Sequence, residues 1–238
     1  SYVDKPFTKE ASFNFEKFKQ HVEKAMRMMD DIIDLELEKV ELIINKIAAD
    51  PEDEDIRRVE LELWKKIRTM ARKGRRTGLG ITAEGDMLAA LGLRYGTPEA
   101  TAFAVKVQKT LALEAYRASV KMAAERGAFE IFDARKEEKN PMIGRIREAD
   151  PELYAEMVKH GRRNIAMLTI APTGTTSLMS QTTSGIEPVF RPVYKRRRKI
   201  NPSDQDAKVA FVDDMGEKFE EYNVCLLYTS PSPRDRQK

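Results

Sequence analysis

Four hydroxyl side chains and a glycine crowd into Ala171-Pro172-Thr173-Gly174-Thr175-Thr176-Ser177. The segment follows a nearly apolar run, residues 164–170, and precedes Leu178-Met179, so it reads as a tight turn entering a helix. Free N–H groups at a helix start attract anions, glycine lets the anion approach the backbone, and hydroxyls add donors. Pro172, Thr173, Gly174, Thr175, Thr176 and Ser177 are therefore the candidate phosphate-binding set. The lysine and the spacing of a Walker loop are missing. On the residues alone, phosphate binding and a merely well-capped helix both stay open.

Other motifs weigh less. Gly78-Leu79-Gly80 follows Arg75-Arg76, but the next glycine is Gly85, which breaks the G-x-G-x-x-G pattern of a dinucleotide fold. These glycines read instead as a place where a strand packs closely on a neighbour. The basic run Lys195-Arg196-Arg197-Arg198-Lys199 could contact phosphates, yet no aromatic residues interleave with it and it reads as a solvated strand end. Ser184-Gly185-Ile186-Glu187-Pro188 carries one carboxylate and reads as a structural turn. Glu52-Asp53-Glu54-Asp55 complements the dipole of a helix start without needing a metal.

Composition narrows the chemistry further. The 238 residues carry 42 Lys and Arg against 39 Asp and Glu, a net charge of +3 that is too balanced for a nucleic-acid binder acting through its bulk field. A single cysteine, Cys225, excludes an internal disulfide framework, a CxxC pair and a Cys-rich zinc site. Two histidines, His21 and His160, leave little for a histidine metal cluster. The chain is 41% hydrophobic and 34% charged, a globular balance, and has no apolar run of the roughly 18 residues that a membrane span needs. It begins at Ser1 with neither an initiator Met nor a basic-then-apolar leader; the missing Met suggests a processed chain or a fragment, and a cytoplasmic location is expected.

The elements that must position the turn are mostly helices. Phe15, Phe18, Val22, Met26, Met29 and Ile33 recur at helical spacing and continue weakly through Leu37, Ile44 and Ile47, with room for a break. Three later helices are predicted to open at Asp50-Pro51, Thr97-Pro98 and Asp150-Pro151 and to close at Gly74, Gly127 and Gly161. Ile56, Val59, Leu63, Ile67 and Met70 mark one stripe expected to be buried; Ala100, Phe103, Val107, Leu111, Ala115, Ala118 and Met122 mark another. Residues 164–170 look like a buried parallel strand. Residues 77–81 form a shorter strand candidate, followed by a helix over 83–91, and residues 188–194 form a third. Glu217 to Tyr222 looks helix-like. Helices between short buried strands predict an α/β construction, and with too few strands visible to close a sheet it reads as part of a larger domain such as a barrel segment.

Taken together, these residues resemble the large catalytic subunit of ribonucleotide reductases. The resemblance is carried by residues 74–81, 91–96, 124–129, 163–166 and 169–190, in order and with matching spacing, and it covers roughly residues 1–224. The wording of 172–177, 183–190 and 192–199 is most similar to the adenosylcobalamin-dependent class II enzymes. The resemblance implies a helix-rich, C-terminal part of a ten-stranded α/β barrel, incomplete in this chain. It implies that the turn at Pro172–Thr176 holds the substrate diphosphate, with Ser177 a weaker member. It further implies an adenosylcobalamin cofactor, reduction of ribonucleoside diphosphates to deoxyribonucleotides by thiyl-radical chemistry, and a thioredoxin-type reductant. Nucleic acid and membrane are not expected partners, and oligomeric state stays open. In that family the radical cysteine, its redox pair and the assisting Glu and Asn lie upstream of the match. Residues 1–224 contain no cysteine, so no catalytic residue or metal ligand is assigned and the chain alone is expected to be inactive. The alternatives are a class I large subunit, with a di-iron partner, and a non-catalytic phosphate-binding module.

Residues 225–238 differ from the rest. They do not resemble the family but do resemble the translation of a transposon-type sequencing adapter, and they are expected to be a disordered tail. Without that tail the count is 39 basic against 38 acidic residues, and no cysteine.

Overall fold

A computed structural model describes residues 1–189, 193–201, 203–204 and 207–225. The chain forms two compact units, taken here in turn: residues 1–81 with 87–171, and residues 82–86 with those from 172 onward.

The first unit opens with a two-strand ladder, β1 (Val3–Asp4) antiparallel to β2 (Ser12–Phe13). Then comes α1 (Phe15–Ala49), 35 residues capped by the Asn14 side chain, which accepts from the Lys17 N–H at 3.0 Å. The expected break does not occur. No Gly or Pro interrupts residues 15–49, and Val40, Ile44 and Ile47 stay buried to the end of the helix.

The second helix, α2 (Glu54–Gly74), starts later than predicted. Asp53 caps it through the Asp55 N–H at 2.9 Å, while Asp50 closes α1 by donating its N–H to the Ile47 carbonyl. The left-handed exit falls on Arg75, at φ 46°, one residue past Gly74. Ion pairing of Arg68 with Glu41 and a bond from Arg57 to the Asp50 carbonyl set α2 antiparallel to α1. Its apolar stripe corrects the expectation of burial. Ile56, Val59, Leu63 and Met70 are 53–60% exposed and Ile67 is half-buried, because no third layer covers the stripe among the described residues.

After α3 (Glu84–Ala90), α4 (Pro98–Arg126) begins at the predicted Thr97 cap and ends at Gly127. Of its predicted stripe, Ala100, Val107, Leu111, Ala115, Ala118 and Met122 are buried as expected and Phe103 is half-buried. Phe18, Val22 and Met26 of α1 join that core. So do Ile143 and Ile146 of α6 (Pro141–Ala149) and Leu153 and Met157 of α7 (Pro151–His160). Each such side chain, fully buried, contributes about 1.5–3 kcal/mol. A short α5 (Ala134–Glu137) precedes α6, and α7 runs from the Asp150 cap to the Gly161 exit as predicted.

The two strand candidates of this unit meet in parallel, at minimum length. One bridge joins Leu79 to Leu168, supported by Thr77 N–H to the Ala166 carbonyl at 2.9 Å and Leu79 N–H to the Met167 carbonyl at 2.7 Å. A Cβ on Gly78 would lie 2.8 Å from the Thr169 Cγ2, and one on Gly80 would overlap the Thr169 carbonyl. The close approach read from these glycines is therefore real. The described residues show a helix-rich body with few strands and no closed barrel.

The second unit holds the first turn of α3, α8 (Gly174–Ser180) and a three-stranded antiparallel sheet. The strand order is β3 (Val193–Lys199), β5 (Lys218–Cys225), β4 (Phe211–Val212). Glu217–Tyr222 is thus mostly strand, not helix. Arg197 stands opposite Glu221 and Arg198 opposite Glu220, a charge match that only strand pairing provides. Of the third strand candidate, Pro188 and Val189 are irregular, residues 190–192 lie outside the described residues, and Val193 and Tyr194 open β3. Cys225 is the last residue of β5, and the rest of the tail lies outside the described residues.

Candidate phosphate-binding site

The turn at residues 172–177 is built around one strained residue. Thr173 has φ 51° and ψ 28°, the left-handed region, and occupies the N-cap of α8. For a β-branched residue that conformation costs on the order of 1–3 kcal/mol and must be held from outside.

A chain of hydrogen bonds holds it. The Gly185 N–H donates to the Thr173 hydroxyl at 2.8 Å. Thr82 Oγ1 donates to the Thr183 carbonyl at 3.0 Å, so its 3.0 Å bond with Thr173 Oγ1 must be donated by Thr173. Proton direction therefore runs from Gly185 through Thr173 and Thr82 to Thr183. The Asp86 carboxylate accepts from the Thr183 N–H at 2.8 Å, and the Glu84 N–H reaches the Gly185 carbonyl at 3.3 Å. Gly85 makes this closeness feasible, since a Cβ there would come within 2.6 Å of the Glu187 carbonyl oxygen. The Thr183 hydroxyl is buried and has no partner among the described residues.

What the clamp leaves open is the start of α8. A threonine N-cap ordinarily accepts from an N–H of its own first turn, and Thr173 does not. The N–H groups of Gly174, Thr175 and Thr176 have no partner among the described residues, and all three residues are exposed. The hydroxyls of Thr175 and Thr176 face the same solvent. Ser177 differs: it is buried, its N–H bonds the Thr173 carbonyl, and its hydroxyl donates to the Gly174 carbonyl at 2.8 Å. Pro172 is exposed and has no N–H to offer. The predicted set thus divides into an anchor (Thr173), open donors (Gly174, Thr175, Thr176) and a structural brace (Ser177). Thr82 and Asp86 escaped the sequence reading. The only hint was that they flank the opening of a predicted helix.

The densest cluster of charge, in the first unit, is structural. Asp30, 0% exposed, accepts from Arg75 Nε at 2.8 Å, Arg163 Nε at 3.2 Å and Asn164 Nδ2 at 2.9 Å. Asn164 in turn accepts from the Ser119 hydroxyl at 2.9 Å and donates to the Arg75 carbonyl at 3.1 Å. Burial pushes the Asp30 carboxyl up, but the hydrogen bonds and charge of Arg75, with Asn164 and Arg163, outweigh it and hold Asp30 below the usual aspartate range. Asp30, Asp31 and Asp34 bring carboxylate oxygens within 4.8 Å of one another, the spacing of a metal site. Guanidinium groups already occupy them: Arg75 on Asp30 and Asp34, Arg126 on Asp31. Nearby in sequence, buried Arg162 pairs with Glu137 and lies over the rings of Tyr116, Phe129 and Phe132.

The basic run on β3 is neutralised by its neighbour strand. Arg197 bonds Glu221 at 2.7 Å, Arg198 bonds Glu220 at 2.5 Å and Lys199 pairs with Glu217 at 2.8 Å. This removes most of the field that a polyanion would need. No helix among the described residues is long and apolar enough to cross a membrane.

A family model described as "Ribonucleotide reductase, barrel domain" matches residues 2–218, and the chain belongs to that family. Among curated relatives, the vitamin B12-dependent ribonucleoside-diphosphate reductase of Mycobacterium tuberculosis is 36% identical over 127 residues, 53% of this chain and 16% of the relative. The enzyme of the same name from Thermoplasma acidophilum is 31% identical over 183 residues, 77% of this chain and 18% of the relative. The ribonucleoside-diphosphate reductase subunit alpha of Treponema pallidum is 30% identical over 134 residues, 52% and 15% of the two chains. The chain therefore spans only 15–18% of the length of these relatives.

Proposed function

We propose that this chain is the substrate-phosphate-holding part of an adenosylcobalamin-dependent ribonucleoside-diphosphate reductase, and that its turn binds the diphosphate of the ribonucleotide. The observation that carries the reading is the uncapped start of α8, where three adjacent N–H groups and two hydroxyls are left open beside a rigidly clamped Thr173. The likeness to two vitamin B12-dependent relatives supports that class. On this reading the units described here belong to a ten-stranded barrel completed by the remainder of the parent protein.

The division of labour follows from the residues. Gly174, Thr175 and Thr176 donate to phosphate oxygens, Thr173 fixes their direction, and Ser177 braces the turn from inside. Residues 1–224 contain no cysteine, so the thiyl radical and the reducing thiols, with a thioredoxin-type reductant, are supplied through other parts of the parent enzyme. The cofactor supplies the radical initiator when bound. The two histidines are engaged within the chain: His21 bonds the Tyr2 hydroxyl at 3.1 Å and His160 pairs with Glu156 on α7. The reading of residues 225–238 as a foreign tail is supported by a family match that stops at 218, and the nucleotide sequence tests it.

Nuclear magnetic resonance titration with ribonucleoside diphosphate and inorganic pyrophosphate tests the site. Amide shifts should concentrate at Gly174, Thr175 and Thr176; shifts spread over the basic strand instead would overturn it. In the parent protein, reduction that depends on cobalamin is expected. Activity that requires a di-iron partner would refute the class II assignment.

A further inference from the structure

We infer that Thr82 is a positioning residue that keeps the phosphate turn open by withholding the helix cap of α8. The inference rests on the phosphate reading above and deepens it. A threonine at an N-cap satisfies its own helix when its backbone is extended and its hydroxyl swings toward the third helical N–H. Thr173 does neither: its backbone is left-handed and its hydroxyl is engaged away from α8. Two partners engage it, the Gly185 N–H at 2.8 Å and Thr82 Oγ1 at 3.0 Å. The Thr82 hydroxyl is the one that needs the Thr173 proton, because its own proton goes to the Thr183 carbonyl.

Without the Thr82 hydroxyl, Thr173 loses the acceptor for its proton and the main restraint on its strained backbone. It then relaxes to extended geometry and caps the Thr176 N–H. The donors that face an anion become occupied internally. Thr82 therefore trades local helix stability for an open site, as strained residues at binding sites commonly do. Its partners lie 91 and 101 residues away in sequence, so the device depends on tertiary structure.

The test uses the whole chain as wild type, Thr82→Val, Thr82→Ser and the double variant Thr82→Val with Thr173→Ala. Pyrophosphate affinity is measured by calorimetry, and hydrogen exchange is followed at Thr176. Thr82→Val is expected to weaken pyrophosphate about tenfold, the scale of one lost directional hydrogen bond, and to slow Thr176 exchange. Thr82→Ser should restore both. The double variant, with no hydroxyl left to cap, should return Thr176 to fast exchange. A loosened or misfolded unit would instead speed exchange throughout, and Thr82→Ser would still report on the native geometry. Unchanged or faster Thr176 exchange in a folded Thr82→Val chain overturns the inference, as does equal pyrophosphate affinity. A wild-type chain that ignores pyrophosphate overturns the phosphate reading, while the exchange measurement still decides the role of Thr82.

Discussion

The cluster around Asp30 and the clamp around Thr173 are both polar, both built from residues far apart in sequence, and opposite in what they leave over. Around Asp30 the carboxylate, two guanidinium groups, an amide and a hydroxyl satisfy one another. The three aspartates that stand at metal-site spacing are each paired with a guanidinium group. Around Thr173 a shorter network of hydroxyls, backbone groups and the Asp86 carboxylate leaves the buried Thr183 hydroxyl and the next three N–H groups without partners among the described residues. A dense charged cluster is thus the weaker sign of a binding site here. The stronger sign is a donor set whose natural internal partner has been drawn elsewhere.

The largest effect should come from the charged cluster. Asp30→Asn leaves buried guanidinium groups without their counter-charge and should destabilise the first unit by about 3–5 kcal/mol, read as a lower chemical-denaturation midpoint. A loss under about 1 kcal/mol would place the cluster with surface pairs instead. The pH dependence follows from the lowered Asp30 carboxyl. Its contribution is present above the ordinary aspartate range near pH 4 and is lost as pH falls through the depressed folded value. Asp30→Asn should therefore flatten the acid limb of the stability curve, measured by denaturation at several pH values.

The clamp should respond less. Asp86→Ala removes the acceptor of the Thr183 N–H and should cost about 1–3 kcal/mol, with faster exchange at Thr183 itself. On the exposed ribbon, Glu220→Gln should give only a slight loss that vanishes at high salt. Smallest of all is Thr183→Val, which deletes a buried hydroxyl that has no partner among the described residues. Thermal melting should show stability unchanged or slightly raised. A clear loss there would mean that the hydroxyl has a partner and that the clamp is larger than drawn.

What could be read from the sequence was what is local. Thr97-Pro98 with Gly127, and Asp150-Pro151 with Gly161, delimit helices because cap and exit chemistry act within a few residues. The same rule misplaced the start of α2, since Asp50 and Asp53 both qualify and only the geometry shows Asp50 closing the helix before. Apolar spacing found the α2 stripe, but periodicity says nothing about what covers a stripe, and Ile56, Val59, Leu63 and Met70 lie open. Phe219 and Tyr222 are three residues apart, which mimics a helix; the arginines opposite Glu220 and Glu221 decide for a strand. The turn itself was legible from its hydroxyls and glycine. The residues that aim it were not, because Thr82 meets Thr173 and Thr183 only after the chain has folded.

The β3–β5 ribbon has a consequence for the chain before it folds and after it is damaged. Five consecutive cations repel one another, and the register that seats Arg197 and Arg198 against Glu221 and Glu220 relieves them. β5 thereby behaves as a built-in competitor for polyanions. Peel the two strands apart, by heat, proteolysis or incomplete synthesis, and β3 becomes a short polycation with an appetite for RNA and DNA.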